Sequence, residues 1–475
     1  MSSLILWVGL AFFAQDKTAQ SNLDEVKMEL NKLRNRVELL DQENRKLRSE
    51  VSFSRQEETP EKQETPAKEE TPEEQETPAK EEVPAKEEIP AEEKDPAKEV
   101  SQDLSSKSQD ERSNPIYSRM NRFGSGLTIG GYIDIEYWDH EGSSVGTFDQ
   151  HRFVPFFYAD ISDNMKMAVE LEFEHGHEIG IEFATLDYWF SDAVNFRTGI
   201  ILAPLGQFNL VHDAPYQDLT QRPHVDSTVI PAVLRDVGMG FFGSFDADPW
   251  LFSYEIYVMN GFEAGADGDP DAVSTSNGLK KARISEGDYK DSNDNKSVVA
   301  RVTASPFLGM EFGLSYWTGA YDKAGDLNLD IMAFDFTISG GGLYNALFGG
   351  DGGMLRDIFY SIEIVGEYAS ADLDTDATHS IDELSGYYAE LRYHFMFDAV
   401  KSVIPGSTDE STFTAILRWD ATDLDGAKRE ALTIGLNYRP REDSVFKLEY
   451  VMNGEKGSLS DEDNDEFIFS VASYF

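Results

Sequence analysis

The chain of 475 residues has no cysteine. That absence excludes a disulfide framework, thiol catalysis and zinc–thiolate sites. Past the N-terminus it also lacks any apolar run of about eighteen residues, so helical membrane spans are excluded there. Mean hydropathy is −0.43. Membrane strands escape that test, because every second residue of such a strand faces water. Basic residues are scarce, 41 Lys+Arg against 88 Asp+Glu. Residues 1–112 hold 17 of the basic and 28 of the acidic residues, so −36 of the total −47 falls on residues 113–475. A field that negative repels nucleic acid and favours cations, so no nucleic-acid partner is expected. No serine, histidine and acid arrangement stands out, and the carboxylates are too numerous to mark a general acid and base pair. Neither an enzyme nor a cofactor is expected.

What is present falls into four segments. Residues 4–14, LILWVGLAFFA, have the size of an export signal. No Lys or Arg precedes them, so 1–20 read as a signal peptide or a retained anchor. Residues 21–55 read as an α-helical coiled coil. Leu23, Val26, Leu30, Leu33, Val37, Leu40, Asn44, Leu47 and Val51 alternate steps of three and four. Asn44 at a core position costs stability and fixes register, which favours self-association. Residues 56–122 read as a disordered spacer. They contain hexapeptide units such as ETPAKE with proline at 60, 66, 72, 78, 84, 90 and 96. Proline at that spacing forbids a continuous helix, and the charge forbids a core. At ~3.1 Å per residue the repeats alone reach ~130 Å.

Residues 123–475 read as all-β. Segments of about ten residues alternate in polarity between turn signals, the pattern of an antiparallel transmembrane β-barrel. The predicted strands are 127–138, 151–161, 165–175, 180–190, 194–201, 236–245, 250–260, 296–304, 310–318, 327–338, 358–368, 385–397, 412–420, 430–438, 444–452 and 465–475. Sixteen is even, which places both barrel ends on one side. Phe467, Phe469, Val471 and Phe475 share one face of the last strand. Short connections such as SDN, SDA, DADP and PREDS alternate with longer ones, including 202–235, 261–295 and 421–429. Two connections, near 340–357 and 398–411, break that asymmetry.

The faces imply a wet interior. Met167, Val169, Leu171 and Phe173 oppose Glu170, Glu172 and Glu174, and Ile133 and Ile135 oppose Asp134 and Glu136. The same parity turns Arg197, Arg301, Glu363, Glu367, Glu390, Arg392, Arg418, Lys447 and Glu449 inward. Charge on the lipid side costs ~2–4 kcal/mol at the midplane, so charges confined to one face mark that face as the lumen. So many carboxylates do not form a dry core; a water-filled or plugged lumen is expected. Tyr137, Trp138, Trp189, Trp317 and Trp419 read as interfacial girdles.

The loop 202–235 is too long for a simple hairpin. It is expected to fold into the lumen and narrow it, presenting Asp213, Asp218, Arg222, His224, Asp226 and Arg235 to permeating ions. The alternative is an external or subunit-contact loop. His175 and His177 in EHGHE lie at a turn without a further ligand, so no metal is expected. DGDPD at 267–271 and DSNDN at 291–295 lack the spacing of a calcium loop and read as exposed acidic tips.

The stretch 151–261 contains, in order, RFVPFFYADISDNMKMAVELEFEHG (152–176), TLDYWFSDAVNFRTGIILAPLGQF (185–208), VIPAVLRDVGMGFFG (229–243) and YEIYVMNG (254–261). On these residues it resembles the phosphate-selective porin O and P family. The resemblance implies a sixteen-stranded barrel, usually a homotrimer, with an inserted third loop. Phosphate selection in that family depends on lumenal arginines and lysines, whereas the lumen expected here is mostly carboxylate. The fold is therefore carried over and the phosphate preference is not. The chain is expected to be an outer-membrane porin in contact with lipid, with an N-terminal extension in the periplasm long enough to contact the cell wall, passing ions and small solutes with a weak cation preference. The alternatives are an outer-membrane anchor tethered to the periplasm or cell wall, and an anion-selective pore.

Overall fold

The computed structural model describes residues 127–475 apart from 143–144, 284–288, 292, 350–352, 402, 405 and 461. The expected signal or anchor (1–20), the coiled coil with its Leu30, Leu33, Val37, Leu40, Asn44 and Leu47 core, and the spacer (56–122) lie outside the described residues.

Alternating, β-branched and aromatic-rich segments suit a pleated wall with one apolar face. They form β1 (Leu127–His140), β2 (Thr147–Ser162), β3 (Met165–Glu174), β4 (Glu178–Trp189), β5 (Asn195–Leu202), β6 (Arg235–Ala247), β7 (Trp250–Met259) and β8 (Ser297–Phe307). The second half continues with β9 (Met310–Ala320), β10 (Asn328–Ser339), β11 (Ile362–Leu373), β12 (Glu383–Phe395), β13 (Thr412–Leu424), β14 (Ala427–Arg441), β15 (Ser444–Gly457) and β16 (Glu466–Tyr474). Each strand pairs with its neighbours in sequence, and β1 pairs with β16, so the sixteen antiparallel strands close into a barrel. At the seam Tyr132 faces Tyr474 and His140 faces Glu466. The Phe475 amide extends the ladder by donating to the Gly131 carbonyl at 2.9 Å. Closure leaves no unpaired sheet edge.

The wall has two unlike faces. Ile133, Ile135, Leu314, Met332, Phe334, Leu391, Leu417, Leu436 and Leu448 are exposed on its outside. Asp134, Glu136, Glu170, Glu172, Ser315, Asp335, Glu390, Arg418, Lys447 and Glu449 alternate with them and are buried inside. Soluble proteins rarely expose so large and continuous an apolar surface.

Five sequence expectations need correction. Trp317 is 1% exposed and meets Phe262 inside the barrel, ring centroids 5.2 Å apart. Trp189 packs against the internal Phe242, and Trp138 lines the internal cavity. Of the five expected girdle residues, Trp419 keeps an exposed outer position, and Tyr137 packs against the exposed Phe148, ring centroids 4.8 Å apart. The parity of Asp134 and Glu136 already put Trp138 inside; proximity to a strand end misled the assignment. The strand expected at 358–368 starts at Ile362, because α2 (Gly340–Phe348) and α3 (Met354–Tyr360) occupy the connection before it. A short helix (Asp398–Lys401) likewise fills part of the β12–β13 connection. The loop expected at 421–429 shrinks to Asp425–Gly426, with φ of 53° and 83°. Two positive φ values in an Asp-Gly pair are the mirror-image turn that matches strand twist.

The lumen is filled unevenly. The connection 203–234 and the described part of the connection 260–296 pack inward against β7 to β12. Leu205, Val225, Val229, Ile230, Phe262, Leu279, Trp317, Ile331 and Ala369 form an apolar core there. The remaining space lies against β1 to β4.

Candidate functional site

The inserted connection 203–234 holds a 3-10 turn (Phe208–Leu210) and α1 (His224–Thr228). It crosses to strands far from its own. The amides of Gln207 and Phe208 donate to Glu367 Oε2 on β11 at 2.8 and 3.1 Å. Gly206 sits at φ +69°, and a Cβ there would collide with the Glu367 carboxylate, so this close approach requires glycine. Tyr474 on β16 donates to Asp213 Oδ2 at 2.8 Å. Asn437 on β14 donates to the Asp218 carbonyl at 2.6 Å, and Arg439 to its Oδ1 at 2.9 Å. Arg392 on β12 stands 3.5 Å from the other carboxylate oxygen of Asp218. Thr220 and Gln221 donate backbone N–H to the Glu449 carboxylate on β15, and Arg418 on β13 donates to the Gln221 carbonyl at 2.7 Å. The His224 amide donates to Asp420 Oδ1 at 3.3 Å. Buried His212 pairs with Glu182 on β4.

These contacts set the electrostatics of the loop. Burial alone would raise Asp218, but Arg392 and Arg439 outweigh it and hold the carboxyl at about 2. Burial and then the neighbouring Arg152 guanidinium push Arg222 down to about 10. Burial lowers His224 against the pull of Asp420. Burial and then Glu367 raise Asp226 well above the ordinary carboxylate range.

Beside the loop lies a cavity of about 920 Å³. Its charged lining comprises Asp134 and Glu136 from β1, Arg152 from β2, Glu172 and Glu174 from β3, and Glu178 from β4. Facing them are Arg222 from the loop, Arg235 from β6, Lys280 and Arg283 from the 260–296 connection, and Lys447 from β15. Three histidines, His151, His175 and His212, also line it. The five carboxylates thus come from β1, β3 and β4, and the cations, apart from Arg152, come from the two connections, β6 and β15.

The residues expected at a constriction therefore divide. Arg222 and Arg235 line the cavity, whereas Asp213, Asp218, His224 and Asp226 do not. The first three of those four bind the loop to the wall, as described above. Of the residues expected to face the lumen, Asp134, Glu136, Glu172 and Glu174 line the cavity. Glu170 is buried outside its lining. The four arginines expected inside are held by carboxylates: Arg197 by Asp187 at 2.7 Å, Arg301 by Asp335 at 2.8 Å, Arg392 by Glu390 at 2.6 Å and Glu363 at 3.0 Å, and Arg418 by Asp420 at 3.2 Å. Buried charges persist when paired in this way. Glu367 is spent on the loop amides. Sequence reasoning missed Arg152, Lys280 and Arg283 as lining cations. Arg152 shares the buried parity of Val154, Phe156 and Tyr158 on β2, so alternation alone could have found it; Lys280 and Arg283 lie in a connection, where no such period applies.

Fold and lumen define the class: a closed sixteen-stranded β-barrel with a charged lumen narrowed by an inserted loop. No protein-family model matches the chain. It is similar to a protein of Aquifex aeolicus (strain VF5), itself uncharacterized, with 25% identity over 381 residues, 76% of this chain and 83% of that protein. Among solved structures it is similar to OmpT, an outer membrane protein of Vibrio cholerae, at TM-score 0.46 and 10% identity over 74% of this chain and 100% of that one. It is also similar to an anion-selective porin from Comamonas acidovorans, at TM-score 0.45 and 10% identity, again over 74% and 100%.

Proposed function

We propose that the protein is an outer-membrane channel through which ions and small hydrophilic solutes diffuse. The observation that carries this reading is the charged cavity of about 920 Å³ inside a closed barrel whose outer face is apolar. An apolar exterior suits lipid, and a charged interior requires water or ion pairing. The loop 203–234 is the constriction. Its wall contacts hold it across the lumen and leave Arg222 facing the opposite carboxylates.

Selectivity follows from two opposing features. The net −36 of residues 113–475 raises the cation concentration near the mouth. The lining itself is nearly balanced, with five carboxylates against six Lys and Arg side chains. A weak cation preference results. One feature favours an anion-selecting pore, the reading closer to the phosphate-selective porins: Arg222 and Arg152 both line the cavity, burial and then Arg152 disfavour the charge of Arg222, and an anion between the two guanidiniums would offset both.

Single-channel conductance in planar bilayers, with the reversal potential read under a KCl gradient, tests both. Conductance steps with a small cation-selective reversal are expected. An anion-selective reversal would install the second reading. Correctly folded, inserted barrels that conduct nothing would overturn the channel and leave an anchor.

A further inference from the structure

We propose that Asp149, His151 and His175 form a binding site for one first-row transition-metal dication of the zinc type, at the rim of the cavity beside the β3–β4 turn. The sequence offered only His175 and His177 at a turn. The fold supplies the missing ligands from the neighbouring hairpin.

Asp149 and His151 stand at the start of β2, and His175 at the β3–β4 turn. Asp149 and His151 are two residues apart and so share a face of the strand; Glu136 pairs with Asp149 and Asp134 with Arg152, so the extra residue of β2 brings that face to the cavity side that Arg152 also takes. His175 occupies φ 52°, followed by Gly176 at φ 72°, which folds the turn back over β2. One potential ligand atom from each of the three residues lies within 4.8 Å of the other two. Asp149 Oδ2 is 2.6 Å from His175 Nδ1 and 3.6 Å from His151 Nδ1. Ligand atoms about 2.1 Å from one zinc stand roughly 3 to 3.5 Å apart, so modest side-chain adjustment centres an ion among them. The imidazole rings meet edge to face at 5.3 Å, and their nitrogens converge on one carboxylate oxygen.

The surroundings favour a dication. Glu136 Oε2 is 3.2 Å from His151 Nδ1 and accepts from Trp138 Nε1 at 2.5 Å. Because it reaches the same His151 nitrogen that faces Asp149, it is placed as a fourth ligand. Glu174 and Glu178 share the cavity lining with these residues. The cation beside them, Arg152, is engaged by Glu172 and Glu174 at 3.0 Å each. Two imidazoles and a carboxylate select zinc, nickel or copper over calcium and magnesium, which prefer all-oxygen sites. His177 is the internal control. It follows the same turn, but its ring is 74% exposed and pairs with the His175 carbonyl.

The test is zinc titration of the full chain, folded in detergent, by calorimetry in excess magnesium, with visible absorption of the cobalt form as a second readout. One high-affinity zinc per chain is expected. His151→Ala and Asp149→Asn each weaken it about tenfold or more. His175→Asn does the same while tolerating the left-handed backbone. His177→Ala leaves it unchanged. Zinc held by the acidic N-terminal segments does not respond to these substitutions, so it is distinguishable. Folding of each variant is verified by the heat-dependent shift of the barrel on electrophoresis. Absence of a tight zinc in the folded wild-type protein overturns the proposal. So does zinc affinity untouched by His151→Ala and His175→Asn. Binding is measured directly, so the result stands apart from whether the lumen conducts.

Discussion

Replacing Asp218 with asparagine removes the charge that fastens the inserted loop to the far wall. The side chain of Asp218 is 7% exposed, and it bridges Arg439 at 2.9 Å and Arg392 at 3.5 Å. Its carboxyl falls from the ordinary 3.8 to about 2, which corresponds to about 2 kcal/mol in favour of the docked loop. Removing one partner of a buried pair outright costs ~3–5 kcal/mol. Asparagine keeps an acceptor for Asn437 and Arg439, so the smaller figure applies. Every 1.4 kcal/mol is tenfold in population, so loop opening should rise roughly thirtyfold. The folded pKa is depressed, so this stabilisation is complete above the ordinary value of 3.8. It fades as pH falls toward about 2. Hydrogen exchange is the assay: amides of 203–234 should exchange about thirtyfold faster in Asp218→Asn, and those of β12 to β14 should not change. The difference between variant and wild type should also shrink as pH falls below 3.8. Unchanged loop exchange in a folded variant would refute the anchoring role, and acceleration spread equally over the strands would refute its locality.

Further substitutions probe the other levels of the argument. Leu391→Arg places a charge on the outer face opposite Leu417 of the next strand; insertion into lipid vesicles should be destabilised by about 2–4 kcal/mol if the site is at mid-depth, and an unaffected insertion equilibrium would contradict the lipid-facing reading. Gly426→Ala adds a Cβ that meets nothing within 4 Å at φ +83°, so its cost of about 1–2 kcal/mol in urea unfolding is purely one of backbone handedness, and Asp425→Asn should be neutral. Arg222→Glu turns the loop side of the cavity acidic; the reversal potential should move toward cations, and an unchanged value would remove Arg222 from the conduction path.

The legibility of this chain follows from where its information is local. Alternation along each strand determined the barrel wall: Leu391 outside, Glu390 and Arg392 inside, and fifteen further strands of the same kind. A period of two is a property of neighbouring residues, so it can be read without the fold. Asp425–Gly426 was equally local and was nevertheless passed over as part of a longer loop. The length and composition of 202–235 pointed to an inserted segment, but not to which of its charges would face water. Asp213 and Asp218 found Tyr474, Asn437 and Arg439, partners more than two hundred residues away. Such pairings depend on barrel closure and on how far the loop crosses. The four expected inward arginines were placed inside by parity, yet their carboxylate partners come from several strands. The cavity's cations come from two separate connections and from three strands, β2, β6 and β15. Strand periodicity alone determined the wall. Only the tertiary structure decided which interior charges pair with one another and which remain to line the open space, because that choice is made by residues brought together across the barrel.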